Sequence, residues 1–429
     1  MTALPSFVTG SILVSIAYLA VLGVATLVAA LRAGGRREDT GDPTDALAAS
    51  RLTMPVSIIV PAAASSRTGE LVERLLGLTY PDFEVIVIVD AGAAVIDALV
   101  GEWRLEAREF FYRRTLETAP VKRIFKSLRD ARLMVVEKEA AHRSDALNCG
   151  VDLARFRFVA VVPPAIDFDD TALLRAIAPV MRDPVSIVGV VNPLERVPRS
   201  ASSTRGGRFQ RLRSIRMLMR NSLFWARQRR ALGVEDAVVI WRRDAVVQAN
   251  GFSSAVADAD LDMMFRLQNG FSGEARRVVN HDEVFGRMDV VPPATARMLA
   301  RTRQRAVLQT IGTWAPVVSK AAGRRAFTRF LDAELVAPLA QGWIVLATGL
   351  GALANWYSWT AVVCSLLLLC FGNAAMSAAA LLVRGSQPLA PNRQEMRALL
   401  LIAPLEVLLY QPARAWARVT AFFGAGSTG

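Results

Sequence analysis

Hydrophobic and polar positions divide the chain into long uncharged runs near its two ends and a middle in which short apolar runs alternate with helix-period stretches. Residues 7–31 read FVTGSILVSIAYLAVLGVATLVAAL without a charge. A helix of about 20 such residues crosses the hydrocarbon layer. Met1–Ser6 lacks the basic start of a secretory signal, so a retained span is expected. Arg32, Arg36 and Arg37 follow at once, which assigns that side to the cytoplasm. A second uncharged block, 335–383, has room for two spans, and Asn355–Trp359 supplies the turn formers and interface aromatics of a tight hairpin. Arg384, Arg393 and Arg397 then mark a return to the cytoplasmic side. The stretch Ala398–Tyr410 contains Pro404 and Glu406 and reads as a final span, a re-entrant segment or a surface helix; at that depth Glu406 requires a partner.

The middle predicts an α/β domain. Val56–Pro61 (VSIIVP), Phe83–Asp90 (FEVIVIVD), Arg132–Lys138 (RLMVVEK), Phe156–Val162 (FRFVAVV) and Ser186–Val191 are strand candidates, with helical spacing at Glu70–Leu78 and Asp145–Leu153. Unbroken apolar strands alternating with helices indicate a mainly parallel sheet covered on both faces. The expected organisation is a membrane helix over 1–33, a polar linker over 34–52, the α/β domain over 53–310, an interfacial segment over 311–334, a membrane region over 335–410 and a tail over 411–429. A multi-pass protein of the inner, cytoplasmic membrane with its α/β domain in the cytoplasm is expected.

Composition narrows the chemistry. Hydrophobic residues make up 53% and aromatics only 7%, so an aliphatic excess has to sit in lipid or in a large core. With only His142 and His281, a His-based zinc site is excluded. Cys149, Cys364 and Cys370 make no paired framework. The net charge is +13, nearly all from arginine. Over Arg205–Arg230 arginines interleave with Leu212, Ile215, Leu218, Met219 and Trp225 at helical spacing, which suits a helix in the bilayer interface better than a nucleic-acid groove. The lipid bilayer is the expected partner, and nucleic acid is not.

Ligands of open parallel sheets bind at the carboxyl ends of the strands. After the first strand, Pro61–Ser65 (PAAAS) lacks a glycine-rich phosphate loop. Asp90 ends the second and can accept hydrogen bonds from a base or ribose, or serve as a solvated turn residue. The fourth strand ends Val162-Pro163-Pro164-Ala165, where a metal-dependent sugar-nucleotide enzyme needs carboxylates for a divalent cation. Asp167, Asp169 and Asp170 follow too late and suit a helix start. Asp258-Ala-Asp260-Leu-Asp262 is the best acidic constellation: Asp262 and Arg266 form an i,i+4 pair, and Asp260 is a candidate general base or a solvated helix-start residue. Arg301, Arg303 and Arg305 can clamp a diphosphate or face anionic headgroups.

The succession VSIIVPA, YPDFEVIVIVD, SDALNCG, WRRDAVVQANGF and ADLDMMFRL, followed by an Arg-rich helix and spans, resembles the bacterial membrane-bound family 2 glycosyltransferases. It is most similar to their polysaccharide-synthase branch, with the poly-N-acetylglucosamine and cellulose synthases. The resemblance implies a GT-A (Rossmann-like) fold, a nucleotide-sugar donor, Mg2+ or Mn2+, and an Asp base acting with inversion. It assigns the base to Asp260 and nucleotide-sugar contacts to Asp90, Arg143, Asp145, Asn148, Arg303 and Arg305. Several family positions are substituted. Val89 replaces an acidic neighbour of Asp90, Ala64-Ser65 an Asn-Glu pair, Arg143 a lysine and Ala259 a glutamate. Pro163-Pro164-Ala165 replaces both metal carboxylates, and Thr302–Ala306 keeps only the Arg of a Gln-x-x-Arg-Trp motif. Two functions follow. One is a weak or inactive glycosyltransferase homologue, without a metal site, serving as scaffold or partner to an active synthase or export complex in polysaccharide or glycoconjugate synthesis. The other is an active inverting transferase in which arginines replace the cation.

Overall fold

The structure, a computed structural model, describes residues 3–34, 53–62, 68–90, 93–163, 165–198, 205–225, 231, 236–269, 276–281, 283–315, 321–385 and 391–411. The linker after Gly34, Ala64-Ser65, Pro164 and the tail after 411 lie outside them. In chain order come α1 (Ala3–Gly34), β1 (Val56–Ala62), α2 (Thr68–Leu76), β2 (Phe83–Val89), α3 (Ala93–Trp103), β3 (Leu105–Ala107), β4 (Val121–Ser127), β5 (Leu133–Lys138) and α4 (Arg143–Leu153). Next are β6 (Phe158–Val161), β7 (Ile166–Phe168), α5 (Ala172–Arg182), β8 (Ile187–Val197), α6 (Arg205–Trp225), β9 (Ala237–Arg242) and α7 (Arg243–Gln248). The chain continues through α8 (Ala259–Asn269), β10 (Arg277–Asn280), β11 (Gly286–Asp289), α9 (Pro293–Trp314), α10 (Ala321–Leu331), a π turn (Asp332–Val336), α11 (Ala337–Leu353), α12 (Trp359–Gly385) and α13 (Arg393–Ile402). These elements form two compact units: residues 40–195 with 229–289, and residues 1–39 with 196–228 and 290–429.

The first unit is a mixed α/β sheet, eleven-stranded among the described residues, in the order β3-β4-β5-β2-β1-β6-β9-β8-β11-β7 with β10 on β8. Its centre, β5-β2-β1-β6, is parallel, as expected of strands that are apolar on both faces. Phe83–Val89 is buried at every position. The flanks turn antiparallel: β3 and β4 on one side, β9 against both β6 and β8 on the other. α2, α3 and α5 pack on one face of this sheet in a core that includes Val72, Leu75, Val87, Leu99, Val135 and Ile177. α4 approaches β1 so closely that a Cβ on Gly150 would lie 2.6 Å from Ile59.

The second unit is helical. Among the described residues three of its segments are long and apolar enough to cross a membrane: Pro5–Val28, Phe327–Leu353 and Trp359–Leu382. The last two meet at the expected hairpin, where Asn355 takes a left-handed φ of 58°. The spans are stitched by polar contacts. Trp343 Nε1 donates to Ser11 Oγ (2.9 Å), Thr9 bonds the Tyr357 hydroxyl (2.9 Å), and Tyr18 donates to Asp332. α13 opens with a capping box, Asn392 and Glu395 each bonding the other's backbone N–H. Pro404 ends it in a 3-10 turn, Ala403–Leu405. The residues after that turn carry Glu406, which is 2% exposed and finds its partner in Arg216 of α6. The guanidinium grips both carboxylate oxygens (2.5 and 2.6 Å) and also donates to Ser377, while Asn373 donates to the same carboxylate. Leu212, Ile215 and Met219 of α6 pack on Ala379, Ala380 and Leu381 of α12 and on Leu399 of α13. The apolar face expected to lie on lipid is thus covered by these helices.

Candidate functional site

The carboxyl edge of the parallel strands carries most of the residues singled out in the sequence. Asp90 follows directly on β2. Val89 is in register with Glu137 of β5, so the next positions along that edge are Asp90 and Lys138. Lys138 was not anticipated. Its side chain is fully buried and pairs with Asp145 of α4, and its ammonium also donates to the Glu139 carbonyl (2.8 Å). The available signal was a lysine, one of four in the chain, closing a continuous apolar strand. A buried ammonium persists only with a counter-charge, and Asp145 supplies it. Cys149, one turn further along α4, sits in the same environment; burial pushes its thiol up to about 12, with Lys138 acting against that.

Each polar residue of SDALNCG has a definable contact. Ser144 Oγ donates to the Ser253 carbonyl (2.8 Å). Asp145 accepts from the Ala119 backbone (2.7 Å). Asn148 is 7% exposed and uses both ends of its amide on one residue: it donates to the Phe252 carbonyl (3.0 Å) and accepts from the Phe252 N–H (2.7 Å). This clamp explains the Asn250-Gly251 pair. Both residues are left-handed (φ 61° and 69°), and a Cβ on Gly251 would lie 2.6 Å from the Asn148 Oδ1. The turn ends α7 and directs the chain toward α8.

α8 starts where Asp258 Oδ1 accepts from the Leu261 N–H (3.0 Å), the usual way to satisfy a helix start. Asp262 and Arg266 form the expected pair (2.8 Å), and Arg266 also reaches the Ala249 carbonyl (2.5 Å), tying α8 to the end of α7. Asp260 projects from the first turn and meets Arg143 of α4, Nη1 to Oδ2, at 2.9 Å. Asp260 holds the Arg143 proton on, above the ordinary guanidinium range, and burial opposes it. The other carboxylate oxygen, Oδ1, is buried and has no hydrogen-bond partner among the described residues. The structure therefore brings Arg143 and Asp260 into contact across 117 residues of sequence.

At the end of β6 the chain offers no cation ligand set. Pro163 and Ala165 carry no side-chain oxygen. The nearest carboxylates downstream are engaged: Asp167 with Arg74, and Asp169 with Arg175 (2.6 Å). Among the described residues no three His, Cys, Asp or Glu side chains are grouped as metal ligands. The residues at this strand end do not fit a divalent cation. Arg303 and Arg305 lie on α9 of the helical unit, where Arg303 is mostly buried and 3.7 Å from Glu334.

No family of known domains matches the chain, and neither does any curated protein sequence. Solved structures do. The mannosyltransferase PcManGT of Pyrobaculum calidifontis, in complex with GDP-Man and Mn2+, superposes with a TM-score of 0.54 at 18% identity, over 93% of this chain and 99% of that one. The chain thus shares a glycosyltransferase fold. Residues 1–349 of TarS from S. aureus with UDP (TM-score 0.41, 15% identity, 86% and 92% covered) are a more distant likeness. So is the glucosyl-3-phosphoglycerate synthase of Mycobacterium tuberculosis (0.37, 13%, 63% and 82%). These two scores are too low to bear on function.

Proposed function

We propose that this chain is a membrane-anchored protein of glycosyltransferase fold in which metal-dependent sugar transfer has lapsed. It serves polysaccharide or glycoconjugate synthesis as a scaffold or partner of an active synthase or export complex. The observation that carries this reading is the end of β6. By the family resemblance Pro163 and Ala165 fall where a cation would be gripped beneath a diphosphate; neither offers a side-chain oxygen, and Asp167 and Asp169 are paired with arginines. A metal at that place offsets the charge of the departing diphosphate by several kcal/mol, and each 1.36 kcal/mol is tenfold in rate. The neighbouring mannosyltransferase was solved with GDP-Man and Mn2+; a donor of that kind suits the fold, and the cation does not suit these residues.

A second reading, active transfer without a metal, draws support from Asp260. Its Oδ1 is buried without a hydrogen-bond partner among the described residues while Arg143 holds Oδ2, and an acceptor hydroxyl admitted there would supply the missing bond. Asp90 would then contact the nucleoside, with Arg143 neutralising phosphate. Full-length protein in lipid nanodiscs, incubated with radiolabelled UDP- and GDP-sugars with and without Mn2+, separates the two. The proposal expects no labelled product. Product that forms without metal and vanishes in Asp260→Asn would establish the second reading instead.

A further inference from the structure

We infer that the loop between β3 and β4 is an aromatic-basic finger that docks on the surface of an anionic bilayer. The tip of this loop takes no part in the contacts described for the candidate site, and its composition is unusual for a free surface: Arg108-Glu-Phe-Phe-Tyr-Arg-Arg114. Phe111 is 95% exposed and Phe110 41% exposed, with Arg113 and Arg114 exposed beside them. Elsewhere the α/β unit shows few such residues; among the described ones Leu128 and Val185 are the other large apolar side chains left open.

The finger has a rigid base. At its start the Arg108 N–H bonds the Ile124 carbonyl (2.9 Å). At its end Asp152 of α4 accepts from the backbone of Thr115 and Leu116 (3.1 Å each) and from the Thr115 hydroxyl. Tyr112 turns inward, its hydroxyl pKa raised by burial. Two phenyl rings are therefore held outward on a fixed support, where leaving them in water is costly and burying them is worth much.

The bilayer is favoured as the occupant because phenyl rings next to arginines match the apolar-to-anionic gradient of a headgroup layer, where each nearby arginine adds to the attraction. The inference is independent of whether the site transfers sugar, though it does need the apolar helices to be embedded.

Spin labelling of full-length protein in nanodiscs containing anionic lipid tests it. A nitroxide is placed at Phe111→Cys in a Cys364→Ser background; Cys149 and Cys370 are buried. Companion samples carry the label at Cys364 in α12 and at the exposed Lys122→Cys. Cys364 should favour oxygen, the lipid-soluble relaxant, over an aqueous nickel chelate, which establishes embedding by itself; Lys122→Cys should show the reverse. The finger docks if position 111 also favours oxygen. Arg113→Gln with Arg114→Gln, or omission of anionic lipid, should lower the docked ratio about thirtyfold, equivalent to ~2 kcal/mol. A label at 111 that reads aqueous while Cys364 reads lipid would overturn the inference. So would equal protection of position 111 in lipid-free detergent, which would assign the finger to a second copy or another protein.

Discussion

Asn148 offers the sharpest test of how the α4–α8 region is built. Its amide is spent on Phe252, one bond in each direction, at a residue itself almost fully buried. Asn148→Ala leaves a backbone N–H and a carbonyl without partners, at ~1–3 kcal/mol each. The expected loss is thus about 2–6 kcal/mol, which at about 2–4 °C per kcal/mol for a domain of this size lowers Tm by roughly 4–24 °C. Asn148→Asp keeps the acceptor for the Phe252 N–H but sets a buried carboxylate against the Phe252 carbonyl, so it should cost at least as much as alanine. Gly251→Ala should cost a comparable amount by a different route, since it forces a Cβ into a left-handed residue and against the Asn148 oxygen. Scanning calorimetry of the purified protein reads all three. An Asn148→Ala protein that melts like wild type yet loses affinity for UDP or GDP would refute this reasoning and assign the amide to a nucleotide.

Three further outcomes are expected. Glu406→Gln strands the Arg216 guanidinium among α6, α12 and α13 and should destabilise the helical unit by ~3–5 kcal/mol, whereas Arg216→Met with Glu406→Leu should recover most of it; thermal melts in detergent compare them. The Cys149 thiol, raised from 9.0 to about 12, favours the protonated folded state. Its contribution is complete below pH 9 and lost as pH climbs through 12, so Cys149→Ala should flatten the alkaline fall in stability, as urea unfolding across that range will show. Arg143→Ala leaves the Asp260 carboxylate without its cation and should lower stability more than Asp260→Asn does, as urea unfolding will show.

Much of this arrangement was legible because it is local. Continuous β-branched runs such as Phe83–Val89 announce buried parallel strands, and turn formers at 355–358 announce the hairpin between two apolar helices. The need of Glu406 for a partner could be read from its depth. That Arg216 meets it, 190 residues earlier, could not, because pairing at that distance depends on how α6 packs on α12 and α13. β4 escaped notice since VKRIFKS is an edge-side strand with polar residues interleaved, too weakly apolar to stand out. The antiparallel flank from β8 to β11 was hidden for a similar reason: β9 belongs to a motif stretch whose pairing is set by tertiary context. Residues 196–228 and 290–310 fall inside the linear α/β segment but cluster with the apolar helices. At the site, Arg143 and Asp260 were each named from sequence; their contact came only with the fold.

The central claim is that no divalent cation works beneath the diphosphate position after β6. Isothermal titration of UDP- and GDP-sugars into the nanodisc-embedded protein, with and without saturating Mn2+, measures this directly. The account predicts that any nucleotide-sugar affinity is the same in both conditions. Binding that appears or tightens tenfold only with Mn2+ would contradict it.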